Sequence, residues 1–364
     1  MKSLFQFSAL LAAILTVGFF TRCQGQPEAK TGTADVPVKN IIFMIGDGMG
    51  ITQVNATMLQ TDQPLNLERA QYVGLQKTYC STHKVTDSAA SGTALATGTK
   101  TYYGAIGVDP DTARLTSILE KASADGLATG LVATYRITHA TPAAFIAHVD
   151  HRDKEQDIAA DFLNTDIDVF IGGGRNMFEK RDDGRNISEE LKAKGYQMVY
   201  TMDELAGIRS GKIAGLMHES HLPRIIKGRD PEYLKQATVK ALDILSQNDK
   251  GFFIMIEGSQ IDGGGHANSI EEVVTETIDF DKAIKVAFDF ADKNPGTLVI
   301  VTADHETGGL TLTANSTDVK YHFSTGGHTG TMVPLYAYGA GAEHFSGIME
   351  NTDIPKRMMK LLGL

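Results

Sequence analysis

The sequence contains little cysteine, which limits how the fold can be stabilised. Two cysteines occur among 364 residues, Cys23 and Cys80. If the chain is cleaved after Gly25, Cys80 alone remains and no disulfide can form within the mature chain. We therefore expect stability to come from core burial, for which 42% hydrophobic content is ample, or from bound metal.

The sequence also lacks an excess of basic residues. Lysine and arginine number 34 against 44 aspartates and glutamates, which gives a formal net charge of -10. This acidic balance argues against nucleic acid as a dedicated partner. It would also repel small anionic molecules unless cations are bound locally.

No apolar run is clearly long enough to cross a membrane. The stretch at 4–20 barely reaches the required length and is broken by polar side chains. Lys2 before it and a small-x-small pattern ending at Gly25 are typical of a cleaved secretory signal peptide. We expect residues 1–25 to be that signal peptide, the mature chain to lack a transmembrane segment, and the protein to be periplasmic or secreted. A lipid anchor on Cys23 is the less favoured alternative, because the residue before it is arginine rather than a small residue.

After a tether at 26–38, short apolar runs alternate with helical patterns almost to the C-terminus. This alternation predicts an α/β fold with a large, mainly parallel central sheet and helices on both faces. We expect one catalytic domain at 39–364, in which the charged, weakly periodic stretch at about 175–235 forms a small inserted surface subdomain. Strands are predicted at 40–46, 72–79, 129–134, 167–171, 252–257, 297–302 and 333–338, and helices near 88–97, 114–125, 155–165, 232–247, 270–292 and 351–362.

The first predicted strand runs into a glycine-rich turn, in the segment KNIIFMIGDGMGITQ at 39–53. This turn is not a dinucleotide-binding fingerprint, because the third glycine is missing in either register. Asp47 stands at the carboxyl tip of the strand, where open α/β sheets place ligand-binding groups. A single aspartate at a glycine turn is usually only a turn residue. Its role therefore depends on whether other acids and histidines reach similar positions.

Three later segments repeat that arrangement: GFFIMIEGSQIDGGGHANS, TLVIVTADHETGG and STGGHTGTMVPLYAYG. Mixed carboxylate and imidazole ligands without a thiolate suit zinc in a hydrolytic site, and an all-oxygen subset suits magnesium. Each residue alone could be a helix cap or a structural histidine, but seven such groups would be costly to bury without a shared cation. The seven are Asp47, Glu257, Asp262, His266, Asp304, His305 and His328.

Two further segments supply groups that a metal site alone would lack. VTDSAASGTALATG places Ser88 at the start of a helix, where free backbone amides and the helix dipole favour an anion. An Asp-Ser pair there is ordinarily an N-cap, but beside metals a serine oxygen can act as a nucleophile. THATPAAFIAHVDHRDKEQ adds His139, Thr141 and Arg152, and arginine offers a planar pair of donors for two phosphate oxygens.

Together these residues closely resemble the alkaline phosphatases, from about residue 39 to the C-terminus. The motifs IGDGMG, DSA, HATP with its downstream arginine, EGSQID-x3-H, TADHE and GGHTG all appear in the family order. The resemblance implies a compact bacterial enzyme that hydrolyses small phosphate monoesters in two in-line steps. Ser88 would be the phosphorylated nucleophile and Arg152 would hold the phosphoryl oxygens. The resemblance also suggests a homodimer.

The same resemblance implies two zinc ions and one magnesium ion. It assigns Asp262, His266 and His328 to one zinc, Asp47, Asp304 and His305 to the other, and Asp47, Thr141 and Glu257 to magnesium, with His139 beside them.

Two residues near the third metal depart from common family patterns. Gly263 stands where relatives often carry lysine, histidine or tryptophan, and His139 stands where some carry aspartate. Imidazole favours zinc over magnesium more than a carboxylate does. We therefore expect the third site to hold magnesium less tightly than the site of a relative with aspartate at this position, and to accept zinc when zinc is in excess.

Two other functions remain open at the level of sequence. One is a phosphodiesterase or phosphonate-releasing enzyme of the same superfamily, and the other is a non-catalytic phosphate- or metal-binding protein. Ser88 in place of threonine, together with Arg152 and the third-metal residues, favours the monoesterase. A sulfatase is disfavoured, because the Cys/Ser-x-Pro-x-Arg signature is absent around Ser88.

Overall fold

The computed structural model describes residues 36–315 and 318–364. The predicted signal peptide, and all but the last three residues of the predicted tether, lie outside the described residues. Among the helices of the described ranges, none combines the length and the apolar character needed to cross a membrane.

Fourteen strands are formed by the described residues, and most of them coincide with apolar runs. They are β1 (Asn40–Gly46), β2 (Tyr72–Lys77), β3 (Ala128–Arg136), β4 (Val169–Gly173), β5 (Gln197–Val199), β6 (Ile213–His218), β7 (Phe252–Gly258), β8 (Thr297–Thr302), β9 (Glu306–Thr307), β10 (Leu310–Asn315), β11 (Asp318–Phe323), β12 (His328–Thr329), β13 (Val333–Gly339) and β14 (Gly347–Glu350).

Ten of these strands form the central sheet, in the order β14-β2-β13-β8-β1-β7-β3-β4-β6-β5. Every neighbouring pair runs parallel except those of β13, which is antiparallel to both β2 and β8. The remaining strands form two small antiparallel pairs, β10 with β11 and β12 with β9. The prediction of a large, mainly parallel sheet is therefore confirmed.

Both faces of the central sheet are covered, as the composition of β1 requires. Ile41, Phe43 and Ile45 pack into one hydrophobic core, whereas Ile42 and Met44 pack into a second core on the opposite face. Successive side chains of a strand point to opposite faces, so a continuous apolar strand is stable only when both faces are buried.

Helices provide the cover on each face. Residues of α2, α3, α5 and α12 contribute to the first core, and residues of α9 and α11 contribute to the second. The helices are α1 (Ile51–Met58), α2 (Ser88–Thr97), α3 (Ile118–Ala124), α4 (Ala140–Ala143), α5 (Glu155–Asp161), α6 (Arg175–Glu179), α7 (Ile187–Ala193), α8 (Met202–Gly207), α9 (Tyr233–Leu245), α10 (Ile261–His266), α11 (Ile270–Lys293) and α12 (Asp353–Leu362).

The charged stretch at about 175–235 is part of the sheet as well as of the surface. It contains α6, α7 and α8, but it also supplies β5 and β6, which pair in parallel with each other and with β4. The stretch therefore contributes two strands to one edge of the central sheet.

Candidate active site

Four adjacent strands bring the first group of polar side chains together. In the order β8-β1-β7-β3, parallel neighbours end at the same edge of the sheet. Asp47 directly follows β1, Glu257 is the penultimate residue of β7, and Asp304 and His139 lie just after β8 and β3. The topology alone thus explains why residues that are far apart in sequence meet at one carboxyl edge.

Three groups of side chains at this edge have the spacing of metal ligands. In each group one ligand atom from every residue lies within 4.8 Å of the others. His305 Nε2, for example, is 3.2 Å from Asp304 Oδ2 and 3.6 Å from Asp47 Oδ1. The groups are Asp262 with His266 and His328, Asp47 with Asp304 and His305, and Asp47 with His139 and Glu257.

The hydrogen bonding of these groups fits bound cations. Several buried side-chain oxygen and nitrogen atoms in these groups have no hydrogen-bond partner among the described residues, and Thr141 Oγ1 on α4 has none there either. An unpaired buried polar atom is costly unless a ligand or ion satisfies it. The unpaired atoms are both carboxylate oxygens of Asp47, Glu257 Oε1, Asp304 Oδ2, His139 Nδ1 and Thr141 Oγ1.

The electrostatics of the cluster lead to the same conclusion. Burial, followed by the charge of Asp304, raises the pKa of Asp47 well above its usual range. Burial likewise raises the pKa of Glu257 to about 8 and that of Asp304 to about 6. Three buried carboxyls that resist ionisation together are a site where divalent cations would be stabilising.

The Asp262 group depends on a short helix and on a residue that sequence reasoning missed. Asp262 and His266 are four residues apart on α10, so they share one face of that helix. Thr307 Oγ1 donates to Asp262 Oδ1 at 2.5 Å and lies 3.2 Å from His305 Nδ1. Thr307 therefore links two of the ligand groups. The sequence could have indicated this role, because Thr307 stands two residues after His305 in the TADHET segment.

Ser88 lies beside the candidate metal ligands. It is the first residue of α2 and is 2% exposed, and its Oγ is 3.2 Å from His305 Nε2. Asp87 caps the helix by accepting a hydrogen bond from the backbone amide of Ala90. The hydroxyl is thus held at a helix N-terminus beside the imidazole of a candidate metal ligand.

Arg152 is directed toward the same place by Asp87. Arg152 Nη1 donates to Asp87 Oδ2 at 3.1 Å, and Arg152 Nη2 is 3.0 Å from His139 Nε2. The other carboxylate oxygen of Asp87 also accepts from the backbone amide of Gly104. Sequence reasoning treated Asp87 only as a helix cap. Its second role could not be anticipated, because 65 residues separate it from Arg152.

Glu257 is fixed by a serine that sequence reasoning also passed over. Ser259 Oγ donates to Glu257 Oε2 at 2.6 Å and accepts from the backbone amides of Thr134 and Tyr135, each at 3.1 Å. One hydroxyl thereby joins the ends of β7 and β3. It leaves Glu257 Oε1 free to face Asp47 and His139.

Comparison with known proteins places this geometry in a family. The family model described as alkaline phosphatase matches residues 38–322 and 313–364. Alkaline phosphatase 4 of Bacillus subtilis is 34% identical to the chain, over 96% of the chain and 95% of the relative. The alkaline phosphatase of Escherichia coli K12 is 33% identical, over 91% of the chain and 87% of the relative.

A solved structure agrees with the sequence relatives. Alkaline phosphatase from the Antarctic bacterium TAB5 superposes with a TM-score of 0.87 and 42% identity, covering 90% of this chain and 99% of that one. These likenesses and the ligand groups of the site identify a metal-dependent phosphomonoesterase, whose substrates are phosphate monoesters. The chain belongs to the alkaline phosphatase family.

Proposed function

We propose that the chain hydrolyses phosphate monoesters through a phosphoserine formed on Ser88. The observation that carries this proposal is the position of the Ser88 hydroxyl, which is buried at the N-terminus of α2 and 3.2 Å from His305 Nε2. A serine held among metal ligands, with backbone amides and a guanidinium beside it, is arranged for attack on a phosphorus atom.

The metals that we propose are two zinc ions and a third ion. When bound, such ions lower the pKa of a coordinated hydroxyl or water and offset the charge of attacking and leaving oxygens. The residues that would hold them are Asp262, His266 and His328 for one zinc, Asp47, Asp304 and His305 for the other, and Asp47, Thr141, Glu257 and His139 for the third ion.

The chain's own residues bind and orient the phosphoryl group. Arg152 would donate to two of its oxygens, and Asp87 keeps that guanidinium in place through their ion pair. The first backbone amides of α2 would favour the developing negative charge. Both groups are set before substrate arrives, so little reorganisation is needed in the transition state.

We propose that the third site holds magnesium less tightly than the site of a relative with aspartate in place of His139, and that it accepts zinc when zinc is in excess. His139 offers an unpaired buried Nδ1 toward Asp47 and Glu257, and an imidazole favours zinc over magnesium. A solved variant of the TAB5 enzyme, in which one histidine is replaced by aspartate, has Mg bound in its M3 site and is 41% identical to this chain. That relative supports magnesium binding when a carboxylate replaces a histidine.

We also propose export and self-association. The N-terminal pattern supports cleavage after Gly25 and a periplasmic or secreted location, with lipidation of Cys23 as the less favoured alternative. The family resemblance supports a homodimer. Mass spectrometry of the N-terminus after export, and light scattering of the purified protein, would test the two proposals.

Phosphatase action is tested with p-nitrophenyl phosphate and the corresponding bis-ester, each with and without zinc and magnesium. We expect rapid metal-dependent release of nitrophenol from the monoester and little from the bis-ester. Preference for the bis-ester would indicate a phosphodiesterase instead. No turnover of either compound, combined with tight phosphate binding, would indicate a binding protein.

A further inference from the structure

Gly263 leaves room beside a candidate metal ligand, and two side chains from elsewhere fill it. The residue follows Asp262 on α10. A β-carbon at Gly263 would lie 2.9 Å from Tyr135 Oη and 3.3 and 3.4 Å from Arg224 Nη2 and Nε. The space that a side chain at 263 would take is therefore occupied by a guanidinium and a hydroxyl.

The loop that carries Arg224 is held by a hydrogen bond and ion pairs to α11, which restricts the position of the guanidinium. The backbone amide of Ile225 donates to Glu276 Oε1 at 2.9 Å. Arg229 is almost fully buried and pairs with both Glu276 and Asp279. These contacts tie the loop to α11 at two points, the first residue of its short 3-10 turn and the second residue after that turn.

A second anchor comes from the segment that leads into α10. Gln260 Nε2 donates to the carbonyls of Leu222 and Pro223, at 3.1 and 3.2 Å, and to that of Thr134 at 3.0 Å. The residue before Arg224 is thus connected both to α10 and to β3. The guanidinium, the candidate ligand Asp262 and the end of β3 are held in one arrangement.

The donors beside Gly263 have no partners in the described part of the chain. Arg224 Nη1 is paired with Glu272, but its Nη2 and Nε make no hydrogen bond there, and neither does Tyr135 Oη. Nη2 and Nε form one edge of the guanidinium fork, which matches two oxygens of a phosphate group. The Arg224 side chain is 34% exposed, so a ligand can reach it.

A chain of contacts connects these donors with Arg152. The ring of Tyr135 contacts the ring of His139, with centroids 4.9 Å apart, and His139 Nε2 is 3.0 Å from Arg152 Nη2. Arg224 therefore extends the recognition surface that begins at Arg152.

We propose that Arg224, assisted by the Tyr135 hydroxyl, is a second phosphoryl-binding residue that contacts the transferred group directly or through one water. The inference rests on the proposed function, because it presumes that the phosphoryl group binds between Ser88 and Arg152. Arg224 takes the place of a side chain at 263 and brings a second cation to a dianionic group in an acidic protein. Because it holds the phosphoryl group, its effect is the same for every leaving group.

The test compares Arg224→Ala and Arg224→Lys with Glu272→Gln, which breaks the same ion pair but leaves the arginine. Inorganic phosphate binding to the metal-loaded proteins is measured by calorimetry, so the readout does not depend on turnover. We expect Arg224→Ala to weaken phosphate binding about tenfold, the loss typical of one charge-assisted hydrogen bond. Arg224→Lys should be intermediate, and Glu272→Gln should bind phosphate like the wild type.

Kinetics then separate phosphoryl from leaving-group contacts. KM should rise by the same factor in Arg224→Ala for an aryl phosphate, an alkyl phosphate and a substrate with a charged leaving group. Unchanged phosphate binding in Arg224→Ala, an equal loss in Glu272→Gln, or an effect confined to charged leaving groups would each overturn the inference. Turnover by the wild type, measured alongside, tests the proposed function separately from the role of Arg224.

Discussion

Arg152 looks like a surface residue in the sequence, but the fold fixes the orientation of its guanidinium group. In sequence it stands in a charged run, but in the structure Asp87 accepts from its Nη1 and the guanidinium reaches His139. The ion pair fixes the orientation of the guanidinium, because Asp87 is buried and is itself held in place as the N-cap of α2. A guanidinium oriented in this way stabilises negative charge without further rearrangement.

Replacement of Arg152 by alanine should therefore weaken phosphate binding and slow turnover without abolishing it. Loss of one preorganised donor typically costs roughly 10² to 10³ in rate at an electrostatic site. Steady-state kinetics and phosphate inhibition measure both effects. Arg209→Ala is a suitable control, because within 36–315 and 318–364 the side chain of that exposed arginine donates only to nearby backbone carbonyls. Unchanged kcat/KM and phosphate inhibition in Arg152→Ala would show that Arg152 does not touch substrate.

His139→Asp should shift the third site toward magnesium. A carboxylate is a harder ligand than the imidazole whose unpaired Nδ1 now faces Asp47 and Glu257. Activity should then depend more steeply on added magnesium while reaching a similar ceiling. Metal titration with elemental analysis decides the matter. If neither metal content nor the magnesium response changes, His139 is a structural histidine.

At the scale of elements, the helices and strands that the sequence predicts best are those whose ends are marked by a capping residue or a glycine. The prediction for α2 at 88–97 agrees with the structure, because Asp87 caps its start and Gly98, with φ of 77°, ends it. The prediction for β1 agrees as well, since a continuous apolar run closes at a glycine. Candidate ligands from the tips of several strands then meet at one edge of the sheet, because parallel strands end there together.

Other elements could not be read from the sequence. β5 and β14 are three and four residues long and half exposed, which leaves no periodicity to detect. The antiparallel direction of β13 could not be predicted either, because an apolar run is compatible with both parallel and antiparallel neighbours. The pairings of Asp87 with Arg152 and of Arg224 with Gly263 were missed for a related reason. They join segments whose proximity only the tertiary fold determines.

One short element has a role that can be tested through metal affinity. Thr307 in β9 orients Asp262 on α10 through a 2.5 Å hydrogen bond. Thr307→Val keeps the shape but removes the donor, so zinc affinity should fall by roughly 10- to 100-fold, as for other groups that orient a metal ligand. Competition with a chromogenic chelator measures this affinity. Thr311→Val in β10 is the matched control, and equal zinc affinity in both variants would contradict the orienting role.

At the scale of the whole molecule, stability and metal content should be coupled. The described chain contains no disulfide, and Cys80 is a free buried thiol. Chelation should therefore lower Tm and remove activity together, because the buried carboxylates of the site lose the cations that offset their repulsion. Zinc should restore most of the activity, and magnesium should add to it. A metal-free protein with the same Tm as the loaded protein would contradict this coupling.

The metal-free protein should also respond to pH in a defined direction. Burial raises the folded-state pKa of Glu257 to about 8 and of Asp304 to about 6, above their unfolded values near about 4. Burial lowers the pKa of His139 and His305, which makes stability rise with pH up to their unfolded pKa near about 6.5. From about pH 7 to about pH 8 Glu257 still holds its proton in the folded state but not in the unfolded state, so stability falls as the pH rises over that range. Thermal scans over this range should show a falling Tm without metal. A Tm that does not fall over this range would mean that Glu257 ionises as readily in the fold as in the unfolded chain.

The covalent reaction through Ser88 is tested most directly by trapping its intermediate. The metal-loaded protein is mixed with p-nitrophenyl phosphate, quenched in acid and mapped by mass spectrometry, alongside Ser88→Ala and Ser91→Ala. Ser91 lies one turn further along α2 and donates to the carbonyl of Asp304, so it controls for a neighbouring hydroxyl. We predict one phosphoryl group on the Ser88 peptide in the wild type and in Ser91→Ala. Ser88→Ala should carry none, and it should lose nearly all turnover while keeping its metals. Phosphate on another residue, or a Ser88→Ala variant that retains most of its turnover, would contradict the role of Ser88.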